Sequence, residues 1–342
     1  MRPVLSPAVR RLWRDPQTLQ LGRGPGTAVV LAGLDPAARA VLALLDGTRD
    51  LAAVRREAVA AGCSADRADA LLGLLQEGGL VVDAAERWPD HLDVAERDRL
   101  GADVASLSLL HGGGGLAALR RRDAASVVVL GGGRVGAPLA ALLAGAGVGT
   151  VDVVDPGTTR ARDVVVGGLG PGDVGRPRGQ AAREHVLARA PATRGGPVPH
   201  PDLVVLAPVG HHDEVDAGLL QRDGVPHLLA EVRDTVGVVG PLVLPGRSAC
   251  LRCLDLARAD RDPGWPAVAA QLSCPGRVPP PCDGPLAVAV AAQTALQVLA
   301  LVDGTPPATV GGSLELALPG WRWRRRSWTP HPACDCRWQE GA

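Results

Sequence analysis

The fold is decided by Val127-Val128-Val129-Leu130-Gly131-Gly132-Gly133-Arg134-Val135-Gly136 and the small-residue stretch that follows from Ala137. A short apolar run bounded by glycines reads as a buried strand, and the small residues after it read as a helix. Gly131, Gly133 and Gly136 fit G-x-G-x-x-G. In that pattern the first glycine makes the tight turn, the second lets a phosphate approach and the third lets helix and strand pack closely. A second apolar run, 150–154, ends on Asp155, 24 residues after Gly131. An acid there can accept hydrogen bonds from a ribose. Gly131, Gly133, Gly136 and Asp155 are therefore the candidate nucleotide residues, and strand–turn–helix–strand predicts a parallel α/β sheet.

The pattern continues outward. Strands are expected at 203–206 and 227–232, a hairpin around 236–244, and a long apolar helix over 286–302. A proline-rich loop, 275–285, precedes that helix. At 342 residues the chain suits two domains. It has no Phe, Tyr, Ile, Asn or Lys, and Met only at position 1, as a GC-rich coding genome produces. Cores must then be packed from Leu, Val, Ala and Trp, and every side-chain cation other than His is Arg. The charge balance is 36 basic against 36 acidic residues, which argues against broad electrostatic binding to nucleic acid or membranes. No run reaches the about 18 uninterrupted apolar residues of a membrane span. The first residues carry no secretory apolar segment, so the protein is expected to be cytoplasmic.

Four of the seven cysteines fall in two tight pairs. Cys250-Leu251-Arg252-Cys253 is a C-x-x-C knuckle, and Cys334-Asp335-Cys336 is a C-x-C. Without an export signal such pairs read as metal ligands before disulfides. Four thiolates make a closed, tetrahedral zinc site of structural type. The 80 residues between Cys253 and Cys334 make the loop entropically costly to close, and the metal supplies the compensating energy. His331 is read as a neighbour of the site rather than a ligand.

Residues 1–85 carry a different pattern. Short strands at 11–13 and 18–21 flank Asp15-Pro16 as a hairpin. A strand at 28–31 leads to Asp35-Pro36, a helix start, and that helix presents Ala40, Val41, Leu44 and Leu45. A second helix runs over 51–61 and a third over 64–76, the third presenting Leu71, Leu72 and Leu75. Gly78-Gly79 then turns the chain into a strand at 80–82. Strands, three helices and a final strand predict a small winged-helix α+β domain. Residues 86–124 are charged, then glycine-rich, and read as a connector with helix around 94–110.

With these residues in place, 125–336 resembles the ThiF/MoeB/HesA superfamily of ubiquitin-activating-like adenylyltransferases. The resemblance rests on Ala144-Gly145-Ala146-Gly147-Val148-Gly149 with the following strand ending in Asp155. It rests also on Asp173-Val174-Gly175-Arg176-Pro177-Arg178, where the family has D-x-G-x-x-K, and on the four cysteines. The resemblance implies a Rossmann-like ThiF-type domain, 125–342, with structural zinc. Departures accompany the matches. The family's metal-binding Asp follows a strand, and the equivalent 203–210 holds no acid. The family's phosphate-clamping Arg-Gln falls near Val164-Val165-Val166, and its Lys is replaced by Arg178. Adenylation stabilises a highly charged transition state, so ATP chemistry is expected to be lost and no catalytic residue is assigned.

The N-terminal pattern fused to this domain resembles the leader-peptide-binding partners of azole-forming (TOMM) peptide biosynthesis. Residues 228–233, 239–243, 250–255, 262–266 and Gln271-Leu272 are similar to its actinobacterial branch. This implies that 1–85 binds a precursor leader peptide as an added strand, along the hairpin at 11–21 and the third helix at 71–75. It also implies that the chain presents the peptide to a YcaO-type cyclodehydratase, and the superfamily implies a homodimer. Two rivals stand beside this: an active adenylyltransferase for a C-terminal carboxylate, and a winged-helix DNA-binding regulator.

Other groups are read more plainly. Cys274 and Cys282 sit by the proline-rich loop, where superfamily members can carry a thioester cysteine, but no base flanks either in sequence. Cys63 is expected at a buried helix junction. His211-His212-Asp213-Glu214 reads as a solvated helix start. In Trp321–Trp328, alternation should place Trp321 and Trp323 on one face and Arg322 and Arg324 on the other, in a half-buried strand beside the zinc site.

Overall fold

The computed structural model describes residues 1–24, 28–209, 214–272 and 280–336. The chain divides into two compact units, Met1–Arg121 and Arg122–Ala342.

The first unit opens with β1 (Pro3–Leu5), β2 (Arg11–Asp15), β3 (Thr18–Leu21) and β4 (Val29–Leu31). Then come α1 (Pro36–Leu44), α2 (Leu51–Ala60), α3 (Ala65–Glu77), β5 (Val81–Asp83) and α4 (Val94–Leu110). Each of α1, α2 and α3 starts on a polar cap. The side chains of Asp35, Asp50 and Ser64 accept from the backbone N–H of Ala38, Ala53 and Arg67, satisfying donors that lack a helical partner. β2, β3 and β4 form an antiparallel meander, while β5 returns to pair with β1. The apolar core gathers Leu5, Leu19, Leu21, Val54, Leu72 and Leu75.

Two readings of this unit change. The buried face of α1 is Ala38, Val41 and Leu42 with Leu45 beyond its end, rather than the Ala40 and Leu44 side. The helix expected around 94–110 is α4, but the rest of the stretch read as a connector adds a further helix, α5 (Gly115–Ala124), and the first unit runs on to Arg121. The glycines of that stretch are there for close packing: a Cβ on Gly113, at φ 94°, would lie 2.6 Å from the Val81 carbonyl oxygen. Glycine enrichment mimics a linker in sequence, but here it lets two backbones touch.

In the second unit β6 (Ser126–Leu130) enters α6 (Gly136–Gly145), then β7 (Thr150–Val154), α7 (Arg178–Arg189), β8 (Leu203–Leu206) and α8 (Glu214–Arg222). β9 (His227–Arg233) and β10 (Val236–Val243) lead to α9 (Leu251–Ala259), α10 (Trp265–Leu272) and α11 (Gly284–Val302). β11 (Gly312–Ala317) and β12 (Trp323–Ser327) follow. The sheet order is β12-β11-β10-β9-β8-β6-β7, parallel from β7 to β9 and antiparallel from β9 to β12. The chain is thus α/β with a central mixed sheet. α6, α7 and α11 pack one face around Val127, Val129, Val151 and Val205, and α8 and α9 cover the other around Val128, Val204 and Leu229. The apolar α11 has the length of a membrane span, yet it buries Leu286, Val290, Ala291, Thr294 and Val298 in this core.

The hairpin expected at 236–244 is instead the second arm of a hairpin begun by β9. The turn falls at Asp234, φ 55°, and Gly240-Pro241 is an irregularity within the single strand β10. A Cβ on Gly240 would meet the Gly312 carbonyl oxygen at 2.7 Å, so the glycine serves strand contact. Arg122 and Asp303 form a buried two-point ion pair, Nε to Oδ1 at 2.8 Å and Nη2 to Oδ2 at 2.6 Å, fastening the start of this unit to the end of α11.

Candidate metal centre and glycine-turn cleft

Folding brings the two cysteine pairs together. Cys250 caps α9 and Cys253 lies in its first turn, while Cys334 and Cys336 come from the segment after β12. Sγ separations are 3.7 Å for Cys250–Cys253, 3.7 Å for Cys250–Cys334 and 3.4 Å for Cys253–Cys336, and all four sulfurs lie within 4.8 Å of one another. A tetrahedron with Zn–S of about 2.3 Å has S···S edges of about 3.8 Å. A disulfide needs about 2.05 Å. The four cysteines can therefore hold one metal ion, and their spacing suits a single ion better than two bonds.

The electrostatics point the same way. Without metal, the Cys250 thiol donates to Cys253 and holds Cys253 down to about 4. The same contact, with burial, pushes Cys250 up, and Cys336 is pushed up to about 12, first by burial. Crowded thiols cannot all ionise unless a cation shares the space. Val243, Leu254 and Trp328 wrap the cluster in apolar surface. His331 stands beside it with both ring nitrogens engaged, Nε2 with Asp260 at 2.9 Å and Nδ1 with the Ala333 N–H at 3.1 Å. Its own backbone N–H points to Cys253 Sγ at 3.3 Å. It is a neighbour of the four sulfurs.

The glycine turn lies at the carboxyl ends of β6 and β8, on either side of which the sheet runs in opposite order, the place where α/β sheets form clefts. Two of the three glycines are required by the protein's own backbone. A Cβ on Gly131, at φ 111°, would fall 2.0 Å from the Ala207 carbonyl oxygen, and one on Gly136 would fall 1.8 Å from that of Gly131. A Cβ on Gly133 would meet the Val209 side chain at 2.6 Å. Gly131 and Gly136 are accounted for by close packing, whatever ligand the turn meets.

Asp155 is committed within the chain. Its carboxylate accepts from the N–H of Gly132 at 2.8 Å and of Gly157 at 2.7 Å. Arg178 closes on it with Nε at 2.8 Å and Nη2 at 3.0 Å, and reaches Asp163 with Nη1 at 2.9 Å. Burial pushes the Asp155 carboxyl up, but Arg178 and the two N–H groups outweigh it and the net shift is downward. Thus four donors already hold the oxygens that a ribose would need.

The cleft itself, about 160 Å³, is lined by Gly133, Arg134, Arg162, Asp163, Val209 and Cys282 among others. The cations there are the feature that the sequence reading missed. The 164–166 stretch is apolar, yet Arg134 from the glycine turn and Arg162 supply positive charge from other positions. Arg134 lies inside the quoted motif and was legible as a cation; its direction was not. Cys282 is half-buried and burial pushes its thiol up, which does not make a nucleophile. Cys274, His211, His212 and Asp213 lie outside the described residues, as does the side chain of Glu214. Cys63 is buried, 2% exposed, at the turn between α2 and α3.

Residues 106–199 match the ThiF family model. That stretch is similar to the ThiF family. No curated protein matches the chain by sequence. Solved structures match over nearly its whole length. One is E. coli MccB with MccA-N7isoASN, at TM-score 0.74 and 15% identity, covering 98% of this chain and 99% of that one. Another is the microcin C7 biosynthetic enzyme MccB in complex with N-formylated MccA, at 0.72 and 16%, covering 98% and 100%. PaaA matches at 0.70 and 18%, covering 94% and 99%. At this identity the likeness is one of fold.

Proposed function

We propose that this protein is a non-catalytic scaffold that binds a ribosomal precursor peptide and presents it to a YcaO-type cyclodehydratase in azole or azoline peptide biosynthesis. The observation that carries the reading is the state of Asp155, whose oxygens are held by Arg178, Gly132 and Gly157 while 203–209 offers no carboxylate for a phosphate-bridging metal. A site built this way favours a retained frame over adenylation.

Residues 1–85 are proposed as the winged-helix, leader-peptide-recognition domain and 125–342 as the ThiF-type domain. The meander β2-β3-β4 supports peptide docking, because β2 is an edge strand with exposed Arg11, Trp13 and Arg14. An extended peptide could add there as a strand. Leu72 and Leu75 of α3 are committed to the unit's core, so half-buried Leu71 and exposed Leu74 are the apolar side chains left for a peptide. That MccB is solved with the peptide MccA fits a peptide partner. Zinc at the four cysteines, a homodimer and a cytoplasmic setting belong to the same reading. Affinity capture from the native cell tests it, with a short precursor peptide and a YcaO-type enzyme as the expected companions. Recovery of neither overturns it.

A second reading, adenylation of a peptide carboxylate, is favoured by Arg134 and Arg162 in the cleft and by the solved complex of MccB with ATP. Pyrophosphate exchange dependent on ATP and a candidate peptide would establish it over the first. The neutral charge balance weighs against the DNA-binding alternative.

A further inference from the structure

The Trp–Arg run at 321–328 is absorbed by neither the metal centre nor the cleft. β12 is the last strand of the seven-stranded sheet. One edge pairs with β11 from Gly312 to Leu316, and the other meets no strand among the described residues. An exposed edge offers a row of backbone donors and acceptors, and proteins usually blunt such rows.

The arginines of this run are not equivalent. Arg325 turns back onto the carbonyl oxygens of Ala308 at 2.8 Å and Val310 at 3.1 Å. Arg326 pairs with Glu315 at 3.2 Å and lies over Trp328. Arg322 and Arg324 are exposed and have no hydrogen-bond or ion-pair partner among the described residues. Arg324 sits opposite Glu315 in the register, yet Glu315 is taken by Arg326. Four arginines therefore face a single acid along this edge.

Trp321 is the second, independent observation. It is 73% exposed and its φ is 54°, the left-handed region that a bulky residue rarely adopts. That conformation takes it out of the strand alternation, so it does not share the half-buried face of Trp323 as the sequence pattern predicts. It stands on the surface next to Arg322, while Trp323 packs against the main core and Trp328 against the cysteines.

We propose that the free edge of β12 docks an extended acidic peptide segment as an added strand, with Trp321 covering one end. Arg324 is the second residue of β12 and Arg322 immediately precedes the strand, so the two lie about 7 Å apart along the chain. They match carboxylates at alternate positions of the incoming strand, and the strand's backbone supplies the rest of the affinity. A stack of nucleic-acid bases needs several exposed rings, and among the described residues of this run only Trp321 is strongly exposed.

The test uses the full chain and a short fluorescein-labelled peptide alternating valine and glutamate, read by fluorescence anisotropy. Its counterpart alternates valine and glutamine, and an oligo(dT) of equal length serves as the nucleic-acid probe. Saturable binding of the glutamate peptide is expected, weakened by salt and by about tenfold in the double variant Arg322→Glu/Arg324→Glu. Both side chains are exposed, so the variant should unfold at the parent's temperature. Should it not fold, Arg324→Gln must shift the affinity in the same direction. The idea fails if the glutamate peptide does not saturate or the glutamine peptide binds equally. It fails too if oligo(dT) binds more tightly, or if the variants bind unchanged, as they would were the peptide held by the N-terminal unit. The outcome is separate from leader-peptide capture, which either result leaves open.

Discussion

Replacing Arg178 by Ala should show whether the nucleotide corner of this fold is held shut by the chain itself. Arg178 donates three charge-assisted hydrogen bonds to two carboxylates, and the side chains of Asp155 and Asp163 are each only 4% exposed. Removing one partner of a buried ion pair costs about 3–5 kcal/mol, because the other is left desolvated. The backbone N–H groups of Gly132, Gly157 and Arg160 remain on the two acids, which places the loss toward the lower end. For a unit of this size each kcal/mol moves the midpoint by about 2–4 °C, so a fall of at least about 6 °C is expected. The pH dependence has a definite sign. In the parent the Asp155 pKa is depressed, so its stabilisation is present above the ordinary carboxylate range and is lost as pH falls through the folded value. In the variant burial acts without Arg178 and raises the pKa, and protonation relieves the strain. The gap between parent and variant must therefore narrow from pH 7 to pH 4. Denaturant unfolding at the two pH values measures it. A loss below about 1 kcal/mol, or a gap that does not narrow, would refute the reasoning.

Four further outcomes follow from the same structure. Chelation, or Cys336→Ser, should release one metal ion per chain and unfold the second unit, metal analysis and near-UV circular dichroism being the readouts. Because the metal-free Cys250 and Cys336 thiols are pushed up, binding must expel protons and affinity must fall as pH falls, which calorimetry in buffers of different ionisation enthalpy checks. Gly136→Ala puts a Cβ 1.8 Å from the Gly131 oxygen and should cost about 3 kcal/mol or more with no ligand present. Leu21→Ala empties a fully buried site in the first unit and should cost about 2–5 kcal/mol in a denaturant titration.

Much of the sheet was legible because its strands are buried on both faces and read as unbroken Val–Leu runs bounded by glycine or Asp. The cap Asp35 was legible for a local reason, a short side-chain oxygen meeting its own helix. Readings failed where one local signal serves two ends. Glycines at 112–115 mimic a linker but let the chain pass Val81, and the apolar run 236–244 mimics a whole hairpin but is one strand paired with β9. Trp321 was misplaced because alternation assumes an extended backbone, and its positive φ ends that assumption.

The sequence by itself determined the α/β pattern, the glycine turn and the identity of the four sulfurs, since strand, turn and C-x-x-C signals are local. Tertiary structure alone decided what those residues meet. It closed the 80 residues between the cysteine pairs into one sulfur tetrahedron and laid Arg178 across Asp155, 23 positions away. It also left β12 as the outer strand. Which groups become neighbours depends on how elements distant in the chain pack, and packing is a property of the whole core rather than of any stretch within it.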